Sequence, residues 1–156
     1  LLAPLPRWQI VVGEVCYGIT RGLIPVLIIG GYSLLCSIDL RFSILFLPAL
    51  LLHLAIFALL GFIAAMVVKS HSDQATINAF LITPMMFLSG TFFPVDQMPL
   101  AIRVVASIFP LTYSTQLIRT TLTPGMEINY ALYVVLLGIL LGLFLIAKRI
   151  VSRVEI

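Results

Sequence analysis

The side chains able to do chemistry in this chain are few and far apart. Six carboxylates, Glu14, Asp39, Asp73, Asp96, Glu127 and Glu155, are dispersed, with no pair at a plausible site for acid–base work. Cys16 and Cys36 lie in apolar surroundings without Cys or His at metal spacing, and read as small membrane-buried side chains. No G-x-x-x-x-G-K-[ST] phosphate loop occurs, so ATP cannot be cradled in that way, and neither a G-x-S-x-G elbow nor a His-rich metal motif is present. No cofactor is expected within this chain. His53 stands near the middle of an uncharged run. A proton relay there lacks an acidic neighbour in its own run, which favours a hydrogen bond to an adjacent helix. Glu14 and Arg21 fall two helical turns apart on one face, where they can pair directly or through water. The basic residues form no stripe, so no nucleic-acid partner is expected. Any uphill transport by this chain must draw on an ion gradient or a separate ATPase.

The elements that position these residues are membrane helices. Hydrophobic residues make up 62% of the chain and charged residues 10%, with mean hydropathy +1.20. A soluble domain carries about 25% charged residues. The fold class expected is all-α, a polytopic transmembrane bundle with four crossings and a re-entrant helical hairpin, lodged in a lipid bilayer. The first run, Ile10 to Ser37, is polar in its opening half and crosses over residues 22–37. The others cross over 43–68, 75–92 and 128–147. Residues 1–21 form a segment entering the first helix, 93–124 the hairpin and 148–156 a tail. Ser72 or Asp73 is a natural cap for the third helix. The chain opens on Leu1 with no signal-peptide pattern, as expected of a piece of a longer protein.

Lysine and arginine set the orientation. Four crossings place Arg7, Lys69, Lys148, Arg149 and Arg153 on one face, expected to be cytoplasmic together with both termini, and Arg41, Arg103 and Arg119 on the other. A fifth crossing at Leu100–Leu122 would separate Lys69 from the terminal cluster. It would also take Arg103, Pro110 and Arg119 into lipid, at about 3 kcal/mol for each charge at depth.

Prolines 94, 99, 110 and 124 break the apolar stretch from Ser89 to Pro124 into pieces too short to span, since a crossing needs about 20 residues. Leu100, Val104, Val105 and Ile108 share a helical face, and Thr112, Ser114, Thr115 and Gln116 mark a wetter face on the following piece. Two half-length helices joined at Phe109-Pro110 make a hairpin resting in the outer leaflet, either a lid over an exit path or a brace for the bundle. Pro25, Pro48 and Pro84 are expected to kink their helices. Gly18 and Gly22, Gly61 and Ala65, and Gly138 and Gly142 stand four apart, as close helix packing requires.

The run F-L-S-G-T-F-F-P-V-D-Q-M-P, followed by F-P-L-T-Y-S-T-Q-L-I-R, resembles the membrane subunit of type-2 ABC exporters, nearest the group holding the nodulation-factor and daunorubicin-resistance permeases. Gly90, Phe93, Pro94 and Pro99 match its G-x-x-F-P-x-x-x-L-P stretch, with Met98 where leucine is usual. The opening A-P-L-P-R-W-Q-I-V-V-G-E resembles the cytoplasmic segment that docks on the ATPase subunit. The resemblance covers essentially the whole chain but offers four crossings where the family has six. It implies roles in ATPase coupling for Pro6, Arg7, Trp8 and Glu14, and in an outer gate for Gly90, Phe92, Phe93, Pro94, Pro99 and Pro110. It further implies an ABC ATPase subunit that binds the ATP, a second copy of the membrane subunit, the bacterial inner membrane, and an amphiphilic or lipid-linked substrate. A secondary transporter or channel, and a membrane scaffold without transport, are the competing classes.

Overall fold

The computed structural model describes residues 7–36, 38, 43–68, 70–123 and 125–153. Their order is α1 (Arg7–Leu35), α2 (Phe46–Val67), α3 (His71–Ile77), a π-helical turn (Asn78–Ile82), α4 (Thr83–Leu88), a 3-10 turn (Val95–Gln97), α5 (Leu100–Ala106), α6 (Pro110–Leu122) and α7 (Ala131–Arg153). Among the described residues every element is helical. Three helices, α1, α2 and α7, are long and apolar enough to cross a membrane, and the bent pair α5–α6 passes the same test jointly.

α2 is apolar on all sides and forms the centre, burying Ala49, Leu50, Ala55, Ile56 and Leu59. Gly18 of α1 faces Ala58 and Gly22 faces the Leu54 side chain, so α1 runs antiparallel to α2 and leaves no room for a Cβ at either glycine. α7 runs parallel to α2. Its Leu132 and Leu136 join Ala49, Ile56 and Leu117 in one buried cluster, while Ala147 and Val151 join Leu59 and Val11 in another toward the opposite end. The end of the bundle with Trp8 on α1 therefore also carries Lys148 and Arg149. Outward faces are strongly apolar, with Leu27 72%, Leu35 85% and Leu145 64% exposed. Such surface on a chain of this composition is a face for lipid tails.

The helical run from His71 to Leu88 starts beside the carboxy-terminal end of α2 and finishes near Arg119 of α6, whose guanidinium donates to the Gly90 carbonyl. At about 1.5 Å per residue it is roughly 27 Å long. Its cap is Ser70, which accepts from the Asp73 N–H at 3.2 Å, in place of the expected Ser72 or Asp73. It stops at Leu88, short of the expected Phe92, because Gly90 turns the chain with φ +79°. Nor is it a uniform α-helix. Pro84 offers no N–H and its ring crowds the carbonyl four residues back. The π-helical turn lies over that position, and the Thr83 hydroxyl donates to Asn78 O at 3.0 Å.

The other expected kinks resolve differently. Pro48 falls in the first turn of α2, where a missing N–H costs nothing. Pro25 is inside the 29-residue α1, the position at which a proline bends a helix without ending it. The first helix is thus one element from Arg7, so that residues 7–21 lead into the crossing without a break. The last helix, capped by the Asn129 side chain on the Ala131 N–H, continues past Ala147 to Arg153.

Of the small-residue pairs, only Gly18 and Gly22 sit at a contact. Gly61, Gly138 and Gly142 have no neighbour within 4 Å of a would-be Cβ.

Candidate functional site

α5 and α6 meet at 94°. α6 lies against α2 in the opposite direction: His53 Nδ1 and Ser114 Oγ are 3.0 Å apart, and seven residues further along α6 the Thr121 carbonyl accepts from the Ser43 N–H at 3.4 Å. His53 lies about 10 Å along α2 from Phe46, and the start of α6 about 6 Å beyond Ser114. The joint of the hairpin thus lies about 16 Å along the bundle from Phe46, about half the length that a bilayer core of about 30 Å requires.

Irregular backbone at that depth needs its polar groups met within the protein. Here the Thr112 hydroxyl donates to Ala106 O at 2.5 Å and the Tyr113 hydroxyl to Ser107 O at 2.7 Å, while Pro110 brings no N–H to satisfy. At the shallow end the Tyr133 hydroxyl donates to Leu45 O at 2.5 Å, tying α7 to the start of α2. His53 also rests on the Phe57 ring, with centroids 4.7 Å apart. It serves as an interhelical hydrogen-bonding residue, the role its lone position favours.

Two corrections to the hairpin follow. α5 has only seven residues, and Ser107, Ile108 and Phe109 all belong to the joint. The polar positions of α6 divide: Thr112, Thr115 and Gln116 line a polar cavity, whereas Ser114 turns to His53. Thr112 and Ser114 are buried, because polar groups at membrane depth are better placed against protein than against lipid. The apolar face of α5, with Leu100, Val104 and Ile108, is the outward one.

α6 separates two cavities. On its polar side a cavity of about 260 Å³ lies between the 89–96 loop and α6, lined by Ser89, Gly90, Pro94, Asp96, Thr115, Gln116 and Arg119 among others. Gly90 is required for its shape: φ is +79°, and a Cβ would meet Val95 Cγ2 at 2.8 Å. Arg119 Nη2 donates to Gly90 O at 2.7 Å, a charge-assisted bond that pins the loop to α6. Ser89 is 1% exposed and its Oγ has no hydrogen-bond partner among the described residues. Such a group costs about 1–3 kcal/mol. On the other side of α6 an apolar cavity of about 460 Å³ opens between α1, α2 and α6, lined by Gly22, Pro25, Leu50, Leu54, Ile118 and Leu122, with His53 and Ser33 its polar positions.

The residues expected at an outer gate therefore divide. Gly90 and Pro94 line the polar cavity. Phe92 and Phe93 point outward, Phe92 stacking on Phe87 at 5.3 Å. Pro99 and Pro110 open α5 and α6. Ser89, Arg119 and the His53–Ser114 pair belong to this region but were not among the gate residues expected. Arg119 contacts a carbonyl 29 residues away, a pairing no local spacing announces.

At the other end of the bundle Trp8 and Glu14 are both exposed on α1, while Pro6 and the side chain of Arg7 lie outside the described residues. Arg21 does not reach Glu14. It donates to the Tyr17 hydroxyl at 3.2 Å and stands over that ring, because a partner one turn away is nearer than one two turns away. Among the described residues no group of His, Cys, Asp and Glu is placed to hold a metal ion.

Residues 1–123 match the profile of the ABC-2 type transporter family. The chain belongs to that family. It is 31% identical to Nodulation protein J of Rhizobium leguminosarum bv. viciae over 98% of its own length and 60% of that protein's. It is 28% identical to Nodulation protein J of Bradyrhizobium diazoefficiens over 86% of its length and 52% of the relative's. It is also 27% identical to the Inner membrane transport permease YadH of Escherichia coli K12, over 72% of its length and 44% of that protein's. The chain thus spans no more than about three fifths of these relatives. No solved structure matches it.

Proposed function

We propose that this chain is part of the membrane-spanning subunit of an ATP-driven exporter in the bacterial inner membrane, working as a homodimer with a separate ABC ATPase subunit. The observation that carries the reading is the apolar cavity between α1, α2 and α6, which opens at the half of the bundle where the hairpin inserts. An aliphatic chain of an amphiphilic or lipid-linked substrate fits such a lining. Leu117 anchors α6 in the buried cluster of α2 and α7, and the hydrogen bonds of Ser114 and Arg119 add to that hold.

Energy enters at the opposite end. Arg7, Trp8 and Glu14 open α1 where Lys148 and Arg149 end α7, an end whose positive charge favours the cytoplasm, together with both termini. Closure of the ATPases on ATP pushes this end. Because α1 packs closely on α2, Gly18 against Ala58 and Gly22 against the Leu54 side chain, it moves as a rigid lever. The membrane half of the cavity widens in response.

Glu14→Ala in the complete subunit, co-expressed with its ATPase, tests the coupling. Glu14 is exposed and has no hydrogen-bond or ion-pair partner among the described residues. Insertion and stability should therefore be unchanged while transport-coupled ATP hydrolysis falls severalfold. Unaltered coupled hydrolysis removes the role given to Glu14. Failure of any ATPase subunit to co-purify with the unmutated protein, together with ion-gradient-driven uptake in vesicles, would point to a secondary transporter instead.

A further inference from the structure

We propose that the polar cavity between the 89–96 loop and α6 holds the headgroup of a zwitterionic phospholipid, its phosphate at Arg119 and its ammonium at Asp96. The proposal stands apart from the coupling to ATP and asks only that the hairpin end of the bundle lie at a membrane surface.

The first observation is charge. Asp96 and Arg119 line the same cavity, and the Asp96 carboxylate forms no ion pair among the described residues, the neighbouring Arg103 guanidinium being spent on the Asp96 backbone carbonyl. Two opposite charges kept apart on one cavity wall match a ligand that carries both signs. Arg119 spends one guanidinium donor on Gly90 O and has others left for a phosphate oxygen. The second is hydrogen bonding. Thr115 and Gln116 face this cavity without a hydrogen bond of their own among the described residues, and the buried Ser89 hydroxyl in its wall lacks a partner. Each can bond to a phosphate or glycerol oxygen. The third is the rim. Met126 in the lining is exposed, as are Phe92 and Phe93 of the loop that forms one wall and Leu100 on the outward side of α5. A soluble zwitterion has no use for such a border, whereas acyl chains descending from a seated headgroup would lie along it.

The lipid would bridge the 89–96 loop and α6, adding to the Arg119–Gly90 contact.

The test is native mass spectrometry of the purified protein equilibrated with vesicles of dioleoyl phosphatidylethanolamine and dioleoyl phosphatidylglycerol in equal amounts. The unmutated protein is expected to retain one phosphatidylethanolamine about tenfold over phosphatidylglycerol, which lacks the ammonium. Asp96→Asn, a change at an exposed side chain with no partner to lose, should bring that ratio to about one. Arg119→Gln should lower retention of both lipids about tenfold. Equal retention of the two lipids by the unmutated protein overturns the proposal, as does an unchanged preference in the Asp96→Asn protein. Free phosphoethanolamine is the remaining arm. Its failure at millimolar concentration to displace the lipid supports the lipid assignment, and complete displacement would make the site one for a soluble zwitterion.

Discussion

Replacing Gly18 with alanine tests how α1 and α2 are held together. A Cβ at Gly18 would stand 2.5 Å from Ala58 Cβ and 3.4 Å from Ala58 Cα. Carbon atoms settle at about 3.5–4.0 Å, so the helices must part locally by roughly 1 Å. The obstacle is a methyl group fixed to a helix backbone, with no torsion to turn it aside. Overpacking of this sort costs about 1–3 kcal/mol, against which alanine recovers up to about 1 kcal/mol of helical propensity over glycine. A net loss of about 1–2 kcal/mol is expected. Gly22 offers a graded comparison: its Cβ would meet Leu54 Cδ2 at 2.5 Å, the far end of a flexible side chain, so Gly22→Ala should cost less. Gly138→Ala and Gly61→Ala enter open space and should be neutral or stabilise by up to about 1 kcal/mol. Equilibrium unfolding in mixed micelles with rising SDS, followed through the single tryptophan Trp8, reads all four variants in one assay. Combining Gly18→Ala with Ala58→Gly should recover most of the loss. If Gly18→Ala proves as stable as Gly138→Ala, the close α1–α2 contact and the rigid lever built on it are wrong.

Other outcomes follow from the hairpin. In a double-mutant cycle, His53→Phe and Ser114→Ala should show a coupling of about 0.6–1.7 kcal/mol, measured in the same unfolding assay; additive effects would separate the two side chains. Gly90→Ala should cost about 1–3 kcal/mol from its φ of +79° and the 2.8 Å approach to Val95 Cγ2, and should raise hydrogen exchange in the 89–96 loop. Tyr133→Phe removes the hydroxyl bond to Leu45 O and should lower stability by about 0.5–1.5 kcal/mol, without altering the secondary-structure signal in circular dichroism.

The apolar runs were legible because a membrane helix must be apolar over its full length, and the hairpin because prolines cut that length short. The packing role of Gly18 and Gly22 was written in their spacing, but so was an identical role for Gly138 and Gly142, which face open space. Spacing says which residues share a face, and the rest of the fold decides what that face meets. The same limit explains α6. Thr112, Thr115 and Gln116 do line a polar cavity, yet Ser114 is fully buried and bonded to His53, 61 residues away. Arg119 served the reading only as a marker of sidedness, because its contact with Gly90 arises when two segments meet in space. The end of the third run at Leu88 depended on a single positive-φ glycine, and the π-helical turn ahead of Pro84 on where its missing N–H could be absorbed.

The central claim is that α5 and α6 enter the membrane and return, leaving Asp96 and Glu127 on the same face. In a background with Cys16 and Cys36 replaced, Asp96→Cys, Glu127→Cys and Arg149→Cys place single thiols at exposed positions before the hairpin, after it and at the far end of α7. A membrane-impermeant maleimide applied from outside intact cells should label the first two and spare the third. Labelling of Asp96→Cys and Glu127→Cys from opposite sides would mean that α5 and α6 cross the bilayer, and would contradict the account.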